Sequence, residues 1–542
     1  MHPKLSIAYF ITSHGFGHAA RASAVMNAIY ARWPYVSFEI FTLTPQWFFT
    51  NCVKAPFAWH QQQTDVGLVQ TSPLHFDPDQ TIDALAAFLP FKEQLLKSLS
   101  DKLCVADCHL IISDISPLGI AVAQYAGMAS VLVENFTWDW IYEPYVTENP
   151  QFKKYIDLLD GYFNNAGLRI QAVPICKKIS KHPCTPPISR APVSDPLQIR
   201  KQLGIKGQEK MVLITMGGMP GSLPFIEQLA SVDKHICFVL PGTSINQAEP
   251  AIKTNQVIFL SRNSEFYHPD LVNAADAVVG KVGYSTLSEV YQAGVPYGFV
   301  TRPDFRESPV FETYIRQNMA GIEISEIEFN SGVWLKLLPE LLSHPKRAQS
   351  KPNGADAAAE YICHYFACEK EILEVVDTRG GVVGAAPRKC VHGNNELLHR
   401  VVHVLVYDLK NRLLLQKRSL NKRVAPGRWD TSVGGHVDCG ESIETATYRE
   451  MEEELGIRPA SLSFAYQYVH SNDFESELVF TYTCRYDGKI VFNPEEIDCV
   501  KFWEKEEIED SLGKGVLSDN FEDEFKRYQQ WLETGIPAGF KS

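Results

Sequence analysis

The sequence predicts a multidomain α/β chain: two halves, each a parallel sheet wrapped by helices, followed by a smaller α+β unit. Three observations carry that expectation. At 542 residues the chain is too long for one hydrophobic core. Over residues 5–368, short β-branched runs alternate with amphipathic helical ones, the pattern of βαβ units. From residue 371 onward the strands alternate polar with apolar and are joined by tight turns.

In chain order, "LSIAYFIT" (5–12) reads as a buried strand, "AARASAVMNAIYARW" as a helix and "SFEIFTLT" as a strand. "CHLIISDIS" and "ASVLVENF" continue the first half. The tract "KHPCTPPISRAPVSDP" (181–196) breaks the pattern and reads as a proline-rich linker. Beyond it, "MVLITMGG", "HICFVLPG", "QVIFLS", "AADAVVGKVG" and "PYGFVTRP" build a second sheet, closed by the helix "GADAAAEYICHYFA" (354–367). The expected domains are therefore 1–180, 197–368 and 370–542. In the last, turns at Leu409–Arg412 and at Asp487-Gly488 predict two hairpins.

A net charge of −13 argues against a nucleic-acid or anionic-membrane partner. Twelve cysteines without zinc-ligand spacing fit reduced thiols in a cytoplasmic protein. The opening "MHPKLSIAYFITSHGFGH" runs straight into a strand, and no apolar run is long enough for an integral membrane segment.

The densest chemical signal is "GGHVDCGESIETATYREMEEELGI" (434–457). Glu450, Glu453 and Glu454 sit at i, i+3 and i+4 and share one helix face. Like charges so spaced cost about 0.2–0.5 kcal/mol per pair, which a cation would offset. Oxygen-rich carboxylates suit a hard divalent ion such as Mg²⁺, which commonly bridges to phosphate. Met451 and Leu455 face a core, and Gly456 stops the helix.

This stretch resembles the Nudix box, G-x5-E-x7-R-E-U-x-E-E-x-G-U, with U a bulky apolar residue. Gly435, Glu441, Arg449, Glu450, Met451, Glu453, Glu454, Gly456 and Ile457 fill its constrained positions. The resemblance implies an α/β/α sandwich with a mixed sheet and hydrolysis of a nucleoside-diphosphate-linked phosphoanhydride. It further implies that Glu450, Glu453, Glu454 and the Gly434 carbonyl bind Mg²⁺ or Mn²⁺, with Glu441 and Arg449 as braces. The water-activating base falls to Glu450 or Glu496. "LLLQKRSLNK" and "PGRWDTSVGGH" also look like isopentenyl diphosphate isomerase, a Nudix-fold enzyme. That chemistry needs a cysteine where Gly434 stands, and Cys439 is misplaced for it, so a hydrolase is favoured.

In the first half, "TSHGFGHAARASAVMNAI" (12–29) is a strand end, a glycine loop and a helix start, with His18 and Arg21 facing one opening. "MVLITMGGMPGS" (211–222) and "HPDLVNAADAVVGKVGYSTLSEVYQAGVPYGFVTRPDFRE" (268–307) look like the nucleotide-sugar half of GT-B glycosyltransferases. "LIISDISPLGIAVAQYAGMASVLVENFTWDW" (110–140) is similar to their acceptor half, and arabinokinase-type proteins carry a close variant of both. The resemblance implies two Rossmann-like α/β domains in GT-B arrangement, binding a nucleotide sugar and an unidentified acceptor. By position, Gly283, Ser285 and Thr286 would hold the diphosphate and Glu289 the ribose, with Gly17 and Gly218 as further ligand-binding positions. His18 would be the base, oriented by Asp114. "DFRESP" departs from the usual sugar-contacting motif, leaving Lys281 and Arg306 as phosphate contacts. Two alternatives stay open for this half: a catalytically silent nucleotide-sugar sensor that regulates the hydrolase, and an interaction scaffold.

Overall fold

The computed structural model describes residues 5–69, 76–216, 224–243, 251–254, 256–261, 264–303, 305–347, 352–421, 425–472 and 474–535. The chain divides into two compact units, one over Ser6–Tyr365 and one built mainly on Phe366–Ser542.

The first unit contains two seven-stranded sheets. Strands β1 (Leu5–Ile11), β2 (Val36–Thr42), β3 (Phe57–Gln61), β4 (Cys108–Asp114), β5 (Ala129–Glu134), β6 (Leu168–Ala172) and β7 (Cys184–Thr185) lie in the order 3-2-1-4-5-6-7. Residues of β1 and β4 are almost wholly buried because helices cover both faces, hence their unbroken apolar runs. Strand order reverses between β1 and β4, where ligands of doubly wound sheets bind. There Ile11 pairs with Asp114, so the loop to the helix Gly17–Arg32 opens beside the Asp114 carboxylate.

The second sheet repeats this plan. Strands β8 (Lys210–Thr215), β9 (Ile236–Thr243), β10 (Ala251–Thr254), β11 (Val257–Ser261), β12 (Ala277–Lys281), β13 (Tyr297–Val300) and β14 (Gly321–Ile324) run 10-11-9-8-12-13-14. All described pairings are parallel except that of β10 with β11. The reversal falls between β8 and β12, and puts Thr215, Lys281 and the helix Tyr284–Ala293 at one edge. Gly280 is required there, since a Cβ would lie 1.8 Å from the Thr215 carbonyl oxygen.

Two expectations about this unit are corrected. The proline-rich tract is more than a linker: Cys184–Thr185 pairs with β6, and Ile188, Ser189 and Arg190 are buried. Prolines suit an edge strand, where no ladder donor is needed. The helix at 354, Gly354–Lys370, does not merely close the second sheet. It reaches the first: Asp356 meets Arg32 at 4.0 Å, and Tyr365 fills the space a side chain at Gly167 would need.

The second unit is a nine-stranded mixed sheet between helices. Its strands are β15 (Ile372–Val376), β16 (Val382–Pro387), β17 (Leu398–Tyr407), β18 (Leu413–Arg418), β19 (Trp429–Asp430), β20 (Val433–His436), β21 (Ser463–Ser471), β22 (Ser476–Arg485) and β23 (Ile497–Trp503). Central β17 pairs with β15, β18 and β20 antiparallel and with β22 parallel. Its alternation is read by two cores. Val404 and Val406 pack with Met451 and Leu455 of the helix Ile443–Leu455. Leu405 packs with Phe521, Phe525 and Tyr528 of the helix Asp519–Thr534. The turn after Tyr407 forms, with Asn411 at φ 60°. The expected Asp487-Gly488 hairpin does not: β23 pairs with β18 instead. Ile490 and Phe492 join the helix core, and the Val491 N–H donates to the Leu455 carbonyl, so burial overrides the turn signal.

Gly280→Ala is expected to destabilise the chain by about 1–3 kcal/mol through overpacking, read as a lower urea midpoint. An unchanged midpoint would mean that β8 and β12 part more easily than their contact implies.

Candidate functional sites

In the second unit, Ser442 caps the acidic helix by accepting from the Thr445 N–H at 3.1 Å, and Gly456 ends it at φ 62°. Arg449 holds the box together. Its Nε and Nη2 donate to the two oxygens of Glu441 at 3.1 and 2.9 Å, and Nη2 also donates to the His436 carbonyl at 2.9 Å. Its Nη1 reaches Glu450 at 2.7 Å and Glu453 at 3.1 Å. Gly435 has no alternative: a Cβ would lie 1.9 Å from the Glu450 carboxyl carbon. Glu454 is buried, accepting from Gln416 at 3.2 Å and from the Gly434 N–H at 3.3 Å.

Burial pushes the Glu450 carboxyl up to about 7, with Arg449 only partly opposing it. One guanidinium is shared among Glu441, Glu450 and Glu453, so the oxygen donors exceed the positive charge and the set fits a hard divalent cation. Arg449 thus brings Glu450 and Glu453 together, while Glu454 is held by Gln416 and the Gly434 N–H. Glu496 lies half-buried before β23, its loop tied to the helix by the Asn493 N–H donating to the Glu454 carbonyl.

A second cluster lies in the same unit, and sequence reasoning missed it. His392, His399 and His436 form one group, and His399, Glu475 and Glu477 another; within each, the ligand atoms lie within 4.8 Å of one another. His392 Nε2 is 3.0 Å from His436 Nε2 and 3.3 Å from Glu475. His399 is fully buried, and Glu477 Oε2 has no hydrogen-bond partner. Burial and then His392 hold His399 down at about 4, while burial and then Glu475 push Glu477 up to about 7. Imidazoles that stay neutral beside orphaned carboxylates suit Zn²⁺, Mn²⁺ or Fe²⁺. The available signal was Glu475-x-Glu477, two carboxylates on one face of a strand, with a histidine right after Gly434-Gly435.

In the first unit, a cleft of about 550 Å³ is lined by residues following both strand-order reversals. Gly17 and Ser285 meet across it: a Cβ at Gly17 would lie 3.5 Å from Ser285 Oγ. His18, Gly283, Ser285 and Thr286 line it, whereas Gly218 lies outside the described residues. His18 Nδ1 is 2.8 Å from Asp114. Burial lowers the His18 pKa more than Asp114 raises it, leaving a neutral ring. With Nδ1–H donated to the carboxylate, the Nε2 lone pair is left free to accept a proton.

Arg21 does not face the opening as expected. It is fully buried, donating to both Asp114 oxygens at 2.7 and 2.6 Å and to Asn135 at 2.5 Å. Burial raises the Asp114 pKa, but Arg21 overcomes that and keeps it ionised. Glu289 also departs from expectation. It is buried and not among the described residues lining the cleft; it accepts from Arg190 Nε at 2.9 Å and sits 2.7 Å from His268 Nδ1. Arg190 comes from the supposed linker, which is why the pairing was not legible. Arg306 is likewise engaged, bonding the Trp140 carbonyl and, at 2.7 Å, Glu143.

The NUDIX domain matches residues 397–521. An uncharacterized Nudix hydrolase of Yersinia pestis is 30% identical over 138 residues, 26% of this chain and 75% of the relative. The chain belongs to the Nudix family. Isopentenyl-diphosphate Delta-isomerase 2 of Photorhabdus laumondii is 34% identical over 137 residues, 24% of this chain and 76% of that enzyme. The Nudix domain therefore has relatives of both names. L-arabinokinase of Arabidopsis thaliana is 26% identical over 380 residues, an alignment too long for the Nudix domain alone. It takes in 66% of this chain, which spans only 34% of that protein. The calicheamicin glycosyltransferase CalG4 is 12% identical, with a TM-score of 0.48, covering 68% of this chain and 99% of its own. Among the described residues no helix is long and apolar enough to cross a membrane.

The full chain is expected to purify with a transition metal that His399→Ala loses and Glu453→Gln retains, as read by elemental analysis. Equal metal in wild type and His399→Ala would exclude the histidine cluster as its site.

Proposed function

We propose that the Nudix domain hydrolyses the phosphoanhydride of a nucleoside-diphosphate-linked substrate with Mg²⁺ or Mn²⁺, and that the first unit is a GT-B-type glycosyltransferase using a nucleotide sugar in its cleft. The observation that carries the first half is the Arg449-braced set of Glu441, Glu450, Glu453 and Glu454. Glu450, Glu453, Glu454 and the Gly434 carbonyl would hold the metal, which when bound supplies Lewis acidity at the phosphate. Glu450 or Glu496 would take a proton from the attacking water. The water oxygen bonds to phosphorus, the bridging P–O bond breaks, and the leaving phosphate is released. A nucleoside monophosphate and a sugar phosphate result.

In the first unit, His18 would accept the proton of an acceptor hydroxyl, with Asp114 fixing its tautomer and Arg21 keeping Asp114 charged. Ser285, Thr286 and the helix start behind Gly283 suit the diphosphate. Both activities fit a cytoplasmic enzyme with unbridged cysteines.

The histidine–glutamate cluster and the isomerase relatives favour a second reading, double-bond isomerisation of an allylic diphosphate. Against it stands Gly434, which offers no proton; a side chain there would crowd the His403 ring at 3.3 Å.

With Mg²⁺ and a nucleotide-sugar panel, monophosphate formation is expected to fall at least about 100-fold in Glu453→Gln. Nucleoside diphosphate formation, if the first unit transfers, survives that change and disappears in His18→Ala. Turnover of isopentenyl diphosphate without phosphate release would instead support the isomerase reading.

A further inference from the structure

One wall of the first unit's cleft carries a buried guanidinium that its surroundings leave incompletely satisfied. Arg302, just past β13, is 7% exposed and lines the cavity together with Lys281 at the end of β12. Its Nε and Nη2 are buried without a hydrogen-bond partner. Its guanidinium lies over the Phe305 ring, 3.3 Å from the centroid, which fixes the plane but satisfies no N–H. Glu307 is the nearby counter-charge, and its contact is loose: Nη1 to Oε1 is 3.7 Å, and Oε2 has no hydrogen-bond partner. Burial, then Arg302, brings the Lys281 ammonium down to about 7. A buried guanidinium with two unpartnered N–H groups, beside a half-buried lysine and one poorly engaged carboxylate, leaves a cavity wall that costs free energy until an anion completes it.

We propose that Lys281 and Arg302 form an anion subsite, and that the nucleotide sugar taken in this cleft is an acidic one, bearing a carboxylate on its sugar ring. A guanidinium with two adjacent free N–H groups matches a carboxylate in forked geometry. Arg302 follows the strand next to the one that leads into the Gly283 helix start, and Lys281 ends that leading strand. The diphosphate and the carboxylate therefore occupy neighbouring strand ends rather than competing for one. Phe305 walls the guanidinium on one face and keeps water from it. This rests on the nucleotide-sugar reading of the cleft given above.

Calorimetric titration of the full chain, with chelator present to silence hydrolysis, tests it. The probes are matched pairs: UDP-glucose against UDP-glucuronate, and GDP-mannose against GDP-mannuronate. In at least one pair the uronate is expected to bind tenfold or more tightly than its neutral partner. Arg302→Gln and, separately, Lys281→Met each reduce that ratio to within about twofold, and Arg302→Gln does so while leaving the neutral sugar's affinity unchanged. Equal binding of both members by wild type overturns the subsite and leaves the nucleotide-sugar reading standing, as does a preference that persists in both variants. Failure of every probe to bind overturns the nucleotide-sugar reading and the subsite with it.

Discussion

The guanidinium of Arg449 ties a loop, a strand and a helix into one site. It takes both oxygens of Glu441 from the loop, the carbonyl of His436 from β20, and Glu450 and Glu453 from its own helix. Planarity matters here, because five fixed donors can satisfy acceptors from three directions where an ammonium could not. The remaining geometry follows. Glu450 is drawn against Gly435, whose missing side chain is the space the carboxylate occupies. Glu454 turns away to Gln416 and the Gly434 N–H, so the strand carrying a prospective metal-binding carbonyl is tied to the helix carrying the carboxylates. What remains unbalanced is charge, since Glu441, Glu450 and Glu453 share one guanidinium.

The first unit solves a related problem with two buried clamps. Arg21 holds Asp114 ionised behind His18, and Arg190 does the same for Glu289 behind His268. In each, a carboxylate that burial alone would neutralise stays charged, and a histidine beside it faces the cleft. Both clamps stand where strand order reverses or just beyond, so topology and electrostatics select the same cavity. Arg302 breaks the pattern, because its carboxylate is held loosely and its Nε and Nη2 are buried without a hydrogen-bond partner.

Much of this was legible in the sequence because it is local. The box is a contiguous stretch in which spacing alone puts Glu450, Glu453 and Glu454 on neighbouring turns of one helix, and the alternation of runs revealed parallel sheets. Long-range partners were not legible. Nothing in the chain near Glu289 announces Arg190, which is 99 residues away. Arg21 looked like a cleft residue because helix periodicity gives a direction but not the buried carboxylate that claims the side chain. The five-residue histidine and glutamate cluster spans more than 80 positions, and only folding of β17, β20 and β22 into one sheet gathers it. Asp487-Gly488 misled for the opposite reason: its local turn preference was real, but burying Ile490 and Phe492 beside the acidic helix outweighed it.

The central claim is that this chain breaks a phosphorus–oxygen bond at the Arg449-braced carboxylates. Turnover of a nucleoside-diphosphate-linked substrate in ¹⁸O-labelled water, followed by mass spectrometry of the products, tests it most directly. The account predicts one labelled oxygen on a phosphate product and none on a sugar carbon. Label on the sugar hydroxyl, or products carrying none, would contradict it.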